Sequence, residues 1–262
     1  MRAPRPSTPR PVSREAAVWA ERYLEALGAK LQSLKSDQIE AISKAAAAMA
    51  EALAQGGMIY VFGCGHSAAL SMDVFYRAGG LMLLQPIFGE EILLNWRPVT
   101  ETSEWERKEE YAPRLFQDSG ARAGDAMIVV SNSGRNGAPV DMALAAAEAG
   151  LTVIAVTSIA AAESLPSRHS SGKRLHEVAD IVIDNHVDAG DAAIEIPGFA
   201  QRVGPTSTAL ASALLQAVVV ETIALLVQQG ETPPVFVSSN VPGGDEHNRA
   251  LLAKYRDRIR YL

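Results

Sequence analysis

The stretch that most constrains this chain is residues 126–150, AMIVVSNSGRNGAPVDMALAAAEAG. The apolar run 126–130 reads as a buried strand and stops at Ser131-Asn132-Ser133-Gly134. Gly137 and Pro139 then open a helical pattern that ends at Gly150. Strand, hydroxyl-rich turn and helix in this order place the turn at the carboxyl end of a strand, where open α/β sheets bind ligands. Ser131 and Ser133 supply hydroxyls, and Gly134 tolerates unusual backbone angles and a close-lying ligand. The first N–H groups of the helix lack intrahelical partners and are free to meet an anion. A simpler reading is that the hydroxyls cap the helix and do nothing more.

A second unit of the same kind shifts the balance toward a phosphate site. Residues 58–62, MIYVF, read as a first strand, followed by Gly63-Cys64-Gly65-His66-Ser67 and a helix to about Arg77. GCGHSA is not the dinucleotide fingerprint, because Ala68 stands where its third glycine belongs and no acidic residue follows near 80–84. It also lacks the Gly-Lys-Ser/Thr end of a P-loop. No cofactor is implied.

Around these units the chain divides into four parts. Residues 1–12, rich in proline and arginine, read as a disordered or strapping arm. Residues 13–54 read as two amphipathic helices, the second capped by Ser36 or Asp37, that pack on the core or on a partner. Residues 55–230 form the core, with further strands at 81–84, 151–156 and 179–183 and an edge fragment at 194–197. Residues 231–262 form an extension ending in a charged helix. Within the core, residues 103–111 suggest a helix whose charge run 104–110 is a solvated face. Residues 163–177 read as a mobile surface loop at the level of the ligand. The tally implies a mostly parallel five-stranded sheet with helices on both faces.

Other function classes are excluded by composition. The formal charge of −6 and the absence of a long Lys/Arg run argue against nucleic acid. Cys64 is the only cysteine, which excludes an intrachain disulfide and a thiolate metal cluster and fits a cytoplasmic setting. His186, Asp188 and Asp191 raise a metal question, but no motif fixes a geometry. The N-terminus has no apolar segment of the secretory kind. The apolar tract 209–227 carries Ser212, Gln216, Glu221 and Thr222, so it reads as a buried helix and no membrane partner is expected.

Gly63-Cys-Gly-His-Ser67 and Ser131-Asn-Ser-Gly134 after two strands, with Gly204-Pro-Thr-Ser-Thr208 opening a long helix, resemble a sugar isomerase (SIS) domain over roughly residues 35–230. With its Ser-Ser-Asn-Val-Pro-Gly-Gly-Asp-Glu-His-Asn ending, the whole chain is similar to stand-alone SIS proteins. It is more distantly similar to N-acetylmuramic acid 6-phosphate etherases and phosphoheptose isomerases. The resemblance implies an α/β fold, a three-layer α/β/α sandwich, that binds a phosphorylated sugar and forms a homodimer or a dimer of dimers with sites near the subunit interface.

By the same resemblance, Ser67, Ser131, Ser133 and the helix start at Thr206, Ser207 and Thr208 contact phosphate. Gly65 and Gly134 let the backbone approach, and Asn132 meets phosphate or ring hydroxyls. A glutamate moves a proton between C1 and C2 in related isomerases. Here Glu90 or Glu91 is the candidate, assisted by His247, with His66 in reserve. In an etherase the same base takes the C2 proton and expels a C3 ether, and in a sensor only the phosphate turns are needed. The first motif helix carries Asp73 where phosphoheptose isomerases place a glutamate, and their metal-binding histidine arrangement is not recognisable, so no metal is implied.

Overall fold

A computed structural model of the protein describes residues 18–261. The arm expected at 1–12 and the start of the first helix lie outside the described residues. Five parallel strands form one sheet in the order β2-β1-β3-β4-β5. They are β1 (Ile59–Gly63), β2 (Leu84–Pro86), β3 (Ala126–Val130), β4 (Thr152–Thr157) and β5 (Ile181–Asp184). β1 and β3 are buried at every position. Apolar runs without alternation are what a parallel sheet covered on both faces requires.

The helices are α1 (Val18–Asp37), α2 (Ile39–Ala54), α3 (His66–Val74), α4 (Thr102–Arg107), α5 (Tyr111–Ser119), α6 (Gly137–Glu148), α7 (Ile159–Glu163), α8 (Ser207–Gln228) and α9 (Gly244–Tyr255). Alternate strand residues feed two cores. Ile59, Val61, Ile128 and Ile154 pack with Met49 of α2, Leu70 of α3 and Leu214 of α8. Tyr60, Phe62, Met127 and Val129 pack on the opposite face with Phe116 of α5 and Met142 of α6. This is the three-layer α/β/α sandwich.

α8 is long and apolar enough to cross a membrane by length and composition. The core accounts for that character, because Leu210, Leu214, Val218, Val219 and Leu226 are buried within it.

Several expected boundaries move. The run 81–84 is not the second strand, which occupies Leu84–Pro86. Leu81 instead makes an isolated antiparallel bridge to Val235, and the Met82 N–H donates to the Pro234 carbonyl at 2.8 Å. That apolar run serves the C-terminal extension rather than the parallel sheet. The first motif helix stops at Val74, and Phe75 is already extended. Neither Ser36 nor Asp37 caps α2; Gln38 does so without a side-chain bond. The helix expected over 103–111 is shorter and ends as α4 at Arg107; Glu110 is left-handed, and α5 starts at Tyr111. The edge fragment at 194–197 reduces to a single bridge between Ile194 and Val203.

Candidate functional site

The register sets the site. Gly63 at the end of β1 pairs with Val130 at the end of β3, so the two hydroxyl-bearing turns leave neighbouring strands at the same height. The chain after β1 enters α3 on one face, and the chain after β3 enters α6 on the other. Adjacent parallel strands whose connections diverge leave a crevice at their carboxyl ends, the usual ligand position in open α/β sheets.

Backbone constraints shape both turns. A Cβ on Gly63 would lie 2.5 Å from the Ser67 carbonyl oxygen, so only glycine lets α3 fold back this tightly. The Gly65 N–H donates to the Ile92 carbonyl at 2.8 Å, tying the first turn to the 3₁₀ turn Glu90–Ile92. In the second turn, Ser131 Oγ accepts from the Gly134 N–H at 3.2 Å. The Asn132 carbonyl accepts from the Ser158 N–H, and its side-chain oxygen accepts from Asn185 at 3.1 Å. The hydroxyls of half-buried Ser67 and Ser133 make no hydrogen bond to another described residue.

A half-buried carboxylate, Glu106, is bound at the second turn. Asn136, the residue that opens α6, donates its side-chain amide to Glu106 Oε1 at 2.7 Å. Glu106 also acts electrostatically on the buried Cys64 thiol at the end of β1, which burial itself pushes well up. Burial raises the Glu106 carboxyl above its ordinary range, with the Asn136 bond and the charges of Arg107 and Arg168 acting in the opposite sense. Gly137 makes this meeting of α4 and α6 possible, since a Cβ there would fall 2.6 Å from the Arg107 carbonyl oxygen.

The solvated face expected at 104–110 holds for Glu104, Arg107, Lys108 and Glu110, which are exposed, and fails at two positions. Glu106 is half-buried, and Glu109 accepts from the Ser170 N–H at 2.7 Å. A signal for Glu106 was available in the sequence. Thr102, Trp105 and Glu106 stand at i, i+3 and i+4, one helical face, and a tryptophan within a charge run marks that face as the inner one.

The SIS-domain family profile matches residues 22–158. The chain belongs to the SIS-domain family. A UPF0309 protein of Shouchella clausii is 41% identical over 244 residues, covering 93% of this chain and 99% of that protein. A UPF0309 protein of Geobacillus thermodenitrificans is 43% identical over 242 residues, covering 92% and 97%. A phosphoheptose isomerase from Francisella tularensis shares the fold at a TM-score of 0.52 and 17% identity, over 79% of this chain and 97% of that one. At that identity the likeness is one of fold.

Within this SIS domain the expected catalytic residues Glu90, Glu91, His66 and His247 lie on three different elements. Glu91 accepts from the Tyr111 hydroxyl at 2.6 Å, and burial with that neighbour raises the tyrosine's pKa. Glu90 is exposed and lines a cleft of about 300 Å³ with Tyr60, Gln85 and Tyr261, along the β2 edge. His66 is exposed at the first turn of α3. His247 lies on α9 with Nε2 3.0 Å from the Val235 carbonyl, in the C-terminal extension. Asp73 is engaged by Arg77 and by Ser212 and Gln216 of α8.

The start of α8 already holds an internal anion. Asp191 Oδ1 accepts from the Thr206 and Ser207 N–H groups at 2.9 and 3.0 Å, and Oδ2 accepts from the Ser207 hydroxyl at 2.5 Å. Thr208 is exposed on the next position. His186 and Asp188 instead bind α1, through Ser33 and Lys30. Among the described residues no three His, Cys, Asp or Glu side chains are grouped as a metal ion needs.

Residues 163–177, expected to be mobile, are tied to the site. Arg168 donates to Asn136 Oδ1 at 3.0 Å, and the Leu175 N–H donates to the Gly134 carbonyl at 2.7 Å. Buried His169 has Nε2 2.8 Å from Asp141 and Nδ1 2.7 Å from the Ser171 hydroxyl. The loop lies latched over the β3 turn.

Proposed function

We propose that this SIS-domain protein binds a phosphorylated sugar in the β1–β3 crevice and moves a proton between C1 and C2 as an aldose–ketose isomerase. The observation that carries the reading is Glu106, a half-buried carboxylate held by Asn136 beside the two hydroxyl turns. Ser67 and Ser133 offer unengaged hydroxyls to the phosphate, with the positive end of α6 behind the second turn. Asp191 occupies the start of α8, so the serine turns rather than Thr206–Thr208 carry the phosphate.

The chemistry needs one base whose pKa approaches neutrality. Glu106 takes the C2 proton of the open-chain aldose, and the C–H electrons form the C1–C2 double bond as the carbonyl oxygen is protonated. Returning the proton to C1 while the C2 hydroxyl loses its own gives the ketose. Glu106 rather than Glu90 or Glu91 is assigned because Glu91 is engaged by Tyr111 and Glu90 faces another cleft.

His247 is remote from the crevice within one chain, so any part it plays is supplied by a neighbouring copy. Val220 and Val227, 64% and 57% exposed on apolar α8, support association of two copies through that helix.

NMR of candidate hexose and amino-sugar phosphates in D2O tests the assignment. Wild-type protein should introduce deuterium at C2, and Glu106→Gln should slow this by about 10²–10⁴-fold with little change in affinity. Full activity in Glu106→Gln with loss in Glu90→Gln or Glu91→Gln would return the role to that pair.

A further inference from the structure

A groove runs along the β2 side of the sheet and reaches the end opposite the serine turns. A cavity of about 420 Å³ opens beside Met58 and Asp125, which stand just before β1 and β3, and residues 257–260 of the C-terminal extension wall it. Met58 lies about 17 Å along the strand from Gly63, at about 3.3 Å per residue. The cleft of about 300 Å³ that Glu90 lines continues this cavity, since both share Tyr60, Gln85, Asp118, Ser119 and Arg260.

The two parts of the groove differ in character. Arg122, Arg258 and Arg260 line the first together with Asp118, Asp125 and Asp257. Asp125 is engaged by the Met58 and Arg122 N–H groups at 2.8 and 2.9 Å, and Arg258 by the carbonyls of Gly56 and Gly57. Among the described residues, the side chains of Arg122, Arg260, Asp118 and Asp257 have no ion-pair partner within 4.0 Å. Opposite charges that line one cavity and stay apart leave room for a ligand that meets both. Tyr60 lines both parts, is only 5% exposed, and its hydroxyl has no hydrogen-bond partner among the described residues. Burial and the charge of Asp125 push its pKa up to about 12, so at neutral pH it remains an O–H donor. A buried donor without a partner carries a desolvation cost that a ligand oxygen removes. In the second part, Ile87, Phe88, Leu93, Leu115 and Tyr261 make an apolar wall, with the Phe88 and Tyr261 rings 5.8 Å apart and the exposed Glu90 carboxylate beside them.

We propose that this groove binds a nucleotide, with its phosphate at Arg122, Arg260 and Tyr60, its ribose hydroxyls at Asp118 and its base against Phe88, Leu115 and Tyr261. Planar guanidinium groups suit phosphate oxygens. An ionised carboxylate only accepts, which matches the hydroxyls of a ribose at Asp118 and an amino group of a base at Glu90. Asp118 belongs to both parts of the groove and so stands between phosphate and base. A flat ring fills an aromatic wall with favourable contact. The inference is independent of the phosphosugar reading, because no residue of either serine turn lines this groove.

Calorimetric titration of the full chain with AMP, GMP, adenosine, guanosine and ribose 5-phosphate tests this. AMP or GMP should bind about tenfold or more tightly than both ribose 5-phosphate and its own nucleoside. Arg122→Gln and Arg260→Gln, both at exposed side chains, and Tyr60→Phe should each weaken that nucleotide about tenfold. Ser133→Ala should leave it unchanged. A nucleotide bound no more tightly than ribose 5-phosphate, or bound equally well by both arginine variants, overturns the groove as its site. Loss of nucleotide binding in Ser133→Ala alone overturns it too, by moving the ligand to the crevice.

Discussion

Asn136 donates its side-chain amide to the Glu106 carboxylate across 2.7 Å and accepts from the Arg168 guanidinium across 3.0 Å. One residue thus joins the helix after β3, the carboxylate on α4 and the loop after β4. Groups bound into one network are not independent, so substitution at any of the three alters the others.

The Glu106 carboxyl makes stability depend on pH. Burial raises its pKa above the ordinary 4.5, so the folded chain holds the proton more tightly than the unfolded chain does. That contribution is complete below 4.5 and is lost as pH rises through the raised value. Glu106→Gln removes the buried charge and should melt about 2–4 °C higher than wild type at pH 8, equivalent to ~1 kcal/mol. At pH 4 the two curves should coincide; a difference of equal size at both pH values would contradict the account.

Ser133→Ala removes an unengaged hydroxyl from the second turn. Affinity for a phosphorylated sugar should fall about tenfold or more, as for a hydrogen bond to a charged group. Affinity for the unphosphorylated sugar should stay constant. Equal losses for both ligands would remove the phosphate from this turn.

Gly137→Ala places a methyl against the backbone of Arg107, Lys108 and Glu109, all within 2.9 Å. Backbone yields less readily than a flexible side chain, and the loss should be about 1–3 kcal/mol in urea denaturation. Turnover measured on the remaining folded protein should fall too, because α4 carries Glu106. Wild-type turnover in this variant would show that the placement of α4 does not matter to catalysis.

His169→Ala strips the latch of its centre and leaves Asp141 without that partner. Loop opening should become about tenfold more frequent, which trypsin would read as faster cleavage at Arg168, Lys173 and Arg174. Cleavage at the wild-type rate would show that the backbone bonds to Arg135 and Gly134 hold the loop alone.

The sheet and the two motif turns were legible because a parallel strand buried on both faces writes itself as an uninterrupted apolar run, as at 126–130. The apolar run at 81–84 misled because burial against the extension through Leu81 and Val235 leaves the same trace as burial in a sheet. Glu106 sits among Glu104, Arg107, Lys108 and Glu109, and only its spacing from Thr102 and Trp105 set it apart. Exposure of single charged residues depends on which helix face meets another element, and that is decided by Gly137 some 30 residues later. The capping of α8 by Asp191 was equally illegible. It spans a loop whose path only the folded chain defines.

Gln85 on the edge strand shows how the sheet is brought to an end. Its side-chain amide donates to the Arg258 carbonyl at 3.0 Å and accepts from the Arg260 N–H at 2.7 Å. Tyr261 adds a bond to the Pro86 carbonyl, and Arg258 reaches the carbonyls of Gly56 and Gly57. A single glutamine here meets the donor and acceptor that a passing strand would present. On the outer edge of β2 the Pro86 carbonyl is thereby taken by the chain's own Tyr261, and proline has no N–H to offer, so this end of the edge is a poor template for strand addition from other molecules.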